Sequence, residues 1–297
     1  MQGSKIKLYE QRDFGDKVNA TFTFLRQNFI PLGKSLLYIA GPVLIVVGII
    51  SAITSMNILF NGGEFSEAEA ISVLGDTSLI NIISILSSAV VVSVVYSYLS
   101  LYTERDDYEN ISVNEVWARV KGNLLPIVLS MIVTAILIII GFVFLIIPGF
   151  ILMAALSFIF ILQVKERLSF GEAFSRSFSL VSNNYLSTIG LILVMMMLQA
   201  ILGSIFGLPV MLMTGFGAFF STSADYDIQN SSAVIQALFI VAQVVGTLGS
   251  QFLYSIILVA IGYQYGNLVE KKEAAGLMEE IDSLGQQKSH SSEEESY

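Results

Sequence analysis

The sequence predicts an all-α fold: a polytopic membrane bundle of six transmembrane helices, with three amphipathic helices on its basic side. Three observations carry this. Hydrophobic residues make up 54 % of the chain and charged residues only 13 %, about half the charged fraction of a soluble domain. The charge deficit is concentrated in continuous apolar runs, whereas a membrane β-barrel would alternate polar and apolar residues in short segments. All 15 Lys and Arg also fall outside those runs, on alternate connections.

Taken in order, residues 1–28 are polar and amphipathic, unlike the early apolar core of a cleavable leader, so the first span is expected to be retained. The spans are expected near 35–58, 79–102, 124–142, 149–164, 187–207 and 238–262. The fourth is short for a bilayer core, which takes about 20 helical residues. Spans three and four should be joined by a tight turn around "FLIIPGF" (144–150), where the helix-breaking pair Pro148-Gly149 supplies the break. The apolar piece 207–220 is expected at the outer interface or as a re-entrant segment. Gly203 with Gly207, and Gly246 with Gly249, have the spacing of close-packing points between helices.

Orientation follows from the basic residues. Lys5, Lys7, Arg12, Lys17, Arg26 and Lys34 precede span one, and Lys271, Lys272 and Lys288 follow span six. The others lie between spans two and three or between spans four and five. The loops at 61–77 and 221–231 carry Glu64, Glu67, Glu69, Asp76, Asp225 and Asp227 and no basic residue. Positive charge stays inside, so both termini are expected in the cytoplasm.

A polar-aromatic passage occurs twice. "FGDKVNATFTFLRQNF" (14–29) returns as "FGEAFSRSFSLVSNNY" (170–185). Phe14, Val18, Phe22, Leu25 and Phe29 share one helical face, as do Phe170, Phe174, Phe178, Val181 and Tyr185. A shorter version, "SVNEVWARVKGNL" (112–124), centres on Trp117. Ser112 with Glu115 and Ser169 with Glu172 have capping-box spacing; Asp13 with Asp16 is a weaker form. Residues 1–269 therefore read as one membrane domain of three units, about 13–107, 108–167 and 168–269, each an interfacial helix followed by a two-span hairpin. The remaining 270–297 is a Ser/Glu-rich acidic tail, expected to be disordered apart from a brief helix in "AAGLMEEIDSL".

The run 147–193 resembles the glycerophosphoryl diester phosphodiesterase membrane-domain family and related six-span bacterial membrane proteins. The residues that carry the likeness are Pro148 and Gly149 heading a short span, Phe158 within it and Glu166 at its end. Ala173, Ser177, Asn184 and Tyr185 follow in the next helix. The resemblance implies a bacterial inner membrane and no activity, because the phosphodiesterase domain of its namesakes is not in this sequence.

Chemistry is sparse. There is no cysteine, and the one histidine, His290, lies in the tail, which leaves no thiolate or His-carboxylate metal set. "NFIPLGKS" ends like a phosphate-binding loop but has Asn28 where that loop needs glycine. No catalytic, metal or cofactor-binding residue is therefore assigned, and neither an enzyme nor a nucleic-acid partner is expected. The predicted spans hold no charged residue, which argues against a proton relay or voltage sensor. Their uncharged polar residues include Ser84, Ser88, Gln199, Gln243 and Gln251. These serve either as hydrogen bonds between helices or as a weakly polar groove. Phe14, Phe22, Phe29, Trp117, Phe170, Phe174, Phe178 and Tyr185 are the candidate interfacial anchors. The expected role is non-enzymatic: structural, assembly-supporting or lipid-interacting, with a permease or lipid transporter as the alternative. Membrane lipids are the expected partners, with a protein partner or homo-oligomer left open.

Overall fold

The computed structural model describes residues 4–60, 67–105, 107, 110–221 and 233–274, with the side chains of 57–60, 67–79 and 216–221 left aside. All the regular structure among them is helical, and six helices are long and apolar enough to cross a membrane. The chain is a multi-pass helical membrane protein. The acidic-loop residues Glu64, Asp225 and Asp227, and the tail beyond residue 274, lie outside the described residues.

Helix α1 (Phe14–Gln27) starts at Asp13, whose side chain accepts from the Asp16 amide. It ends at Asn28, whose side-chain amide donates to the Phe24 carbonyl at 3.0 Å while its Oδ1 accepts from the Tyr98 hydroxyl at 2.9 Å. Span one, Phe29–Met56, comprises α2 (Phe29–Ser35), a π-turn (Leu36–Ala40) and the start of α3 (Gly41–Phe60). Pro42 cannot donate to the preceding turn, and the wide turn just ahead of it absorbs the missing bond. Helix α4 (Glu67–Glu104) carries span two from Ile80.

Span three lies in α5 (Val113–Phe144), which begins at the Ser112–Glu115 capping box. The second amphipathic passage is thus not a separate helix. It forms the first turns of the span itself, because no residue between Trp117 and Leu124 breaks the ladder. Leu145, in an extended conformation, turns the chain, and α6 (Ile146–Leu156) follows. The break therefore falls three residues before Pro148, which sits in the first turn of α6, where a proline is tolerated. Span four is completed by α7 (Ile159–Lys165) and ends at Arg167, in the left-handed region at φ 56°.

Helix α8 (Phe170–Val181) starts at the Ser169–Glu172 box. Ser169→Ala should lower stability by about 1 kcal/mol, read by thermal unfolding in detergent. Helix α9 (Tyr185–Ser221) runs without interruption through Pro209, which corrects the expectation of a separate segment at 207–220. Apolar side chains continue around that stretch, so a long helix of about 55 Å forms in preference to a second element. Helix α10 (Ala233–Glu273) is span six.

The spans alternate between inner and outer positions. Spans two, four and six are 61 %, 50 % and 44 % buried; spans one, three and five are 39 %, 22 % and 17 %. The inner three meet where Gly262 faces Leu99 and Ile161: a Cβ on Gly262 would lie 2.5 Å from Leu99 and 3.5 Å from Ile161. Span three leaves Leu125, Leu129, Ile132, Ile136 and Ile139 exposed. That face suits lipid, which leaves no hydrophobic drive to cover it. Gly246 and Gly249 seat Phe206 of α9 as expected, but Gly207 faces open space.

Candidate functional site

Side chains converge at the basic end of the bundle. Helix α1 packs on α10: the Arg12 amide just ahead of it donates to Asn267, and the Phe24 ring meets Tyr263. Its buried face is Lys17, Ala20, Thr21 and Phe24. The Phe24 ring sits edge-on to Tyr98, Tyr102 and Tyr263 at 4.9–6.2 Å. The buried face of α8 is Ala173, Ser177, Leu180 and Val181, and Ser177 donates to the Ala155 carbonyl.

The aromatic stripes flank these buried faces and pack partly against the core. Phe14 and Phe29 are exposed at 41 % and 73 %, and Phe22 is half-buried. Phe170, Phe174, Phe178 and Tyr185 are half-buried at the edge, with Phe174 and Phe178 4.7 Å apart. Trp117 is 39 % exposed, and Lys121 lies over its ring at 5.1 Å. Such rings, half inside the protein, suit the headgroup boundary.

Two ion-pair clusters tie amphipathic segments to the inner spans. Arg119 pairs with Glu104 at 2.7 Å and donates to Ser100. Arg176 lies 2.5 Å from Glu166 and forks onto both oxygens of Glu273 at 3.0 and 3.1 Å. Glu166 also accepts from Tyr265 at 2.6 Å. The two clusters occupy matching places: each arginine comes seven residues after its capping serine, and each glutamate closes the preceding inner span. The hydrogen bonds from Arg176 to Glu273, more than its partial burial, decide its acidity, so it stays charged throughout the ordinary pH range.

Lys17, one of the basic residues ahead of span one, turns inward. It is only 3 % exposed. Its Nζ donates to Gln264 Oε1 at 2.8 Å and Ser187 Oγ at 3.1 Å, and Gln264 Nε2 donates to Thr188 Oγ1 at 2.9 Å. A similar hydrogen bond joins Gln163 of span four to Ser130 of span three at 2.8 Å. Among the described residues no carboxylate pairs with Lys17. Burial pushes its pKa below the usual value of 10.5; nearby Asp13 opposes this and Lys271 adds to it.

Of the five groove candidates, Gln251 reaches Ser88 at 3.5 Å between spans six and two, and Ser84, Gln199 and Gln243 are half-buried. Two cavities stand out among the described residues. One, of about 490 Å³, opens between the α1–α2 junction and α10 and is lined by Phe22, Leu25, Leu36, Phe252, Ile256 and Arg26, among others. A second, of about 500 Å³, has Trp117 and Tyr38 on its wall.

Among known proteins, the family described as a domain of unknown function (DUF7847) matches residues 112–264, just over half of the chain. The chain belongs to that family. No curated protein and no solved structure matches the sequence. The DUF7847 region takes in the second ion-pair cluster's Glu166 and Arg176, the whole of α8 and the glutamines Gln163 and Gln264. Sequence reasoning passed over those two glutamines. The available signal was a lone amide in an apolar run, the same signal that singled out Gln199. The remaining family-like residues are structural in place. Gly149 packs against Phe142, Ala173 is fully buried, and Asn184 accepts from Lys271 at 3.1 Å.

Proposed function

We propose that this chain is a non-enzymatic protein of a bacterial inner membrane, with both termini cytoplasmic and a lipid-interacting, structural or assembly-supporting role. The observation that carries the reading is the placement of the aromatic stripes. They lie half-buried beside the faces that pack on the inner spans, with Phe14 and Phe29 exposed at the ends of the first stripe. The ionisable groups support a structural part, since Glu104, Glu166, Arg119 and Arg176 are engaged with one another between elements. The restriction of Lys and Arg to one side supports the orientation. Kinship with the glycerophosphoryl diester phosphodiesterase membrane-domain family is part of the same proposal, supported by the motif residues of 147–193.

Since the chain has no cysteine, single-cysteine variants at Phe22, Trp117 and Phe178 can be labelled without background. Membrane-impermeant maleimide should react only from the cytoplasmic side. Reaction from the outer side at any one of them overturns the orientation. The alternative, a permease for an amphiphile, is favoured by one feature. Ser93 and Ser97 in span two and Gln251 Oε1 in span six are buried and have no partner among the described residues. Uptake by proteoliposomes that is lost in Gln251→Leu would establish that reading instead.

A further inference from the structure

The cavity between the α1–α2 junction and α10 is walled almost wholly by apolar side chains. Its hydroxyl, Ser255, is already spent on the Phe252 carbonyl at 2.6 Å. Its single charge is Arg26. That side chain is exposed, and among the described residues it meets no carboxylate, whereas Arg12, Arg105, Arg119 and Arg176 each do. Arg26 stands three residues before the first span begins at Phe29, the depth of lipid phosphates. Gly33 on α2 faces the cavity: a Cβ there would make only ordinary contact with Phe252, at 3.7 Å. The volume lies within the roughly 300–1,000 Å³ of sites for small ligands.

We propose that this cavity binds one acyl chain of an anionic phospholipid, with Arg26 holding the phosphate at its mouth; the proposal rests on the lipid-interacting reading above. An apolar wall with one unpaired cation at the interface matches the two parts of such a lipid. A free phosphate would find one surface arginine and no built anion site. A soluble peptide would have to enter at the depth of the bilayer.

The test is native mass spectrometry of the full chain, released from nanodiscs of equimolar phosphatidylglycerol and phosphatidylcholine. Wild type should retain one phosphatidylglycerol in preference to phosphatidylcholine by about fivefold, the effect of one cation near a lipid surface. Arg26→Gln should erase the preference while Arg26→Lys keeps it. Gly33→Leu, which fills the cavity, should release the lipid altogether. Lys121→Gln, outside the cavity, should leave retention as in wild type. Equal retention by wild type, Arg26→Gln and Gly33→Leu overturns this site but leaves the lipid-interacting reading standing. Wild type that carries neither lipid overturns both, and a second copy of the chain in place of lipid makes the cavity an oligomer contact. If Gly33→Leu fails to fold, the Arg26 pair of variants decides.

Discussion

Gln264→Leu should destabilise the protein by about 3 kcal/mol. Gln264 is 1 % exposed and accepts from Lys17, which is 3 % exposed. Leucine fills the space but accepts nothing, so a buried ammonium keeps only Ser187. Thr188 loses less, because its hydroxyl still donates to the Asn184 carbonyl at 3.1 Å. The penalty is thus the stranded charge, and removing the charge should relieve it. Lys17→Met combined with Gln264→Leu should be clearly more stable than Gln264→Leu alone, a coupling that thermal unfolding of the four proteins of the cycle measures. Simple addition of the two effects would show that Lys17 does not depend on Gln264.

The same buried lysine gives a pH dependence of definite sign. Its pKa is lowered on folding, so below the usual 10.5 the unfolded chain holds more protons at this site than the folded one. Stability then rises with pH across the window from the lowered folded value up to 10.5. Unfolding scans at increasing alkaline pH should show this contribution in wild type and its loss in Lys17→Met. Identical slopes in the two proteins would contradict it.

Gly266→Val should detach the N-terminal segment from the bundle. A Cβ at this position would drive into the carbonyl carbon and oxygen of Leu8. Backbone cannot swing aside as a side-chain tip can. Leu8 is 4 % exposed, and its neighbours are held as well. The Ile6 amide donates to the Tyr102 hydroxyl at 2.9 Å, and the Arg12 amide donates to Asn267 at 2.7 Å. The Arg12 guanidinium also lies over the Tyr263 ring at 5.2 Å. Overpacking of this kind costs about 1–3 kcal/mol, here concentrated on one short segment. Trypsin should then cut after Lys5, Lys7 and Arg12 about tenfold faster than in wild type, because cleavage follows local opening. An unchanged cutting rate would mean that the segment is held by something other than its seat on Gly266.

Some of this architecture could be read directly along the chain. Ser112 with Glu115 and Ser169 with Glu172 marked two helix starts to the residue, because a capping box is closed by neighbours in sequence. The turn between spans three and four falls inside the expected stretch 144–150, but Pro148 does not make it: in a first turn a proline breaks nothing, and the chain reverses at extended Leu145. The second amphipathic passage looked like its two counterparts but continues into span three, since amphipathic spacing does not record whether a helix ends. The candidate site was legible only in part. The aromatic stripes were visible as a period, but Lys17 was read as one base among several.

What the sequence by itself determined is the set of six spans, the segregation of charge to alternate connections, and the helix caps. Each depends on composition or on residues within a turn of one another. Only the tertiary structure decided that spans two, four and six form the interior, because the contact of Gly262 with Leu99 and Ile161 joins three distant segments. It also decided that Lys17 is buried while Arg26, nine residues on, stands unpaired beside an apolar cavity. Both lie on one helix of ordinary amphipathic pattern. Which of them meets Gln264 and which lines the cavity depends on how that helix packs on α10, and no local pattern specifies that packing.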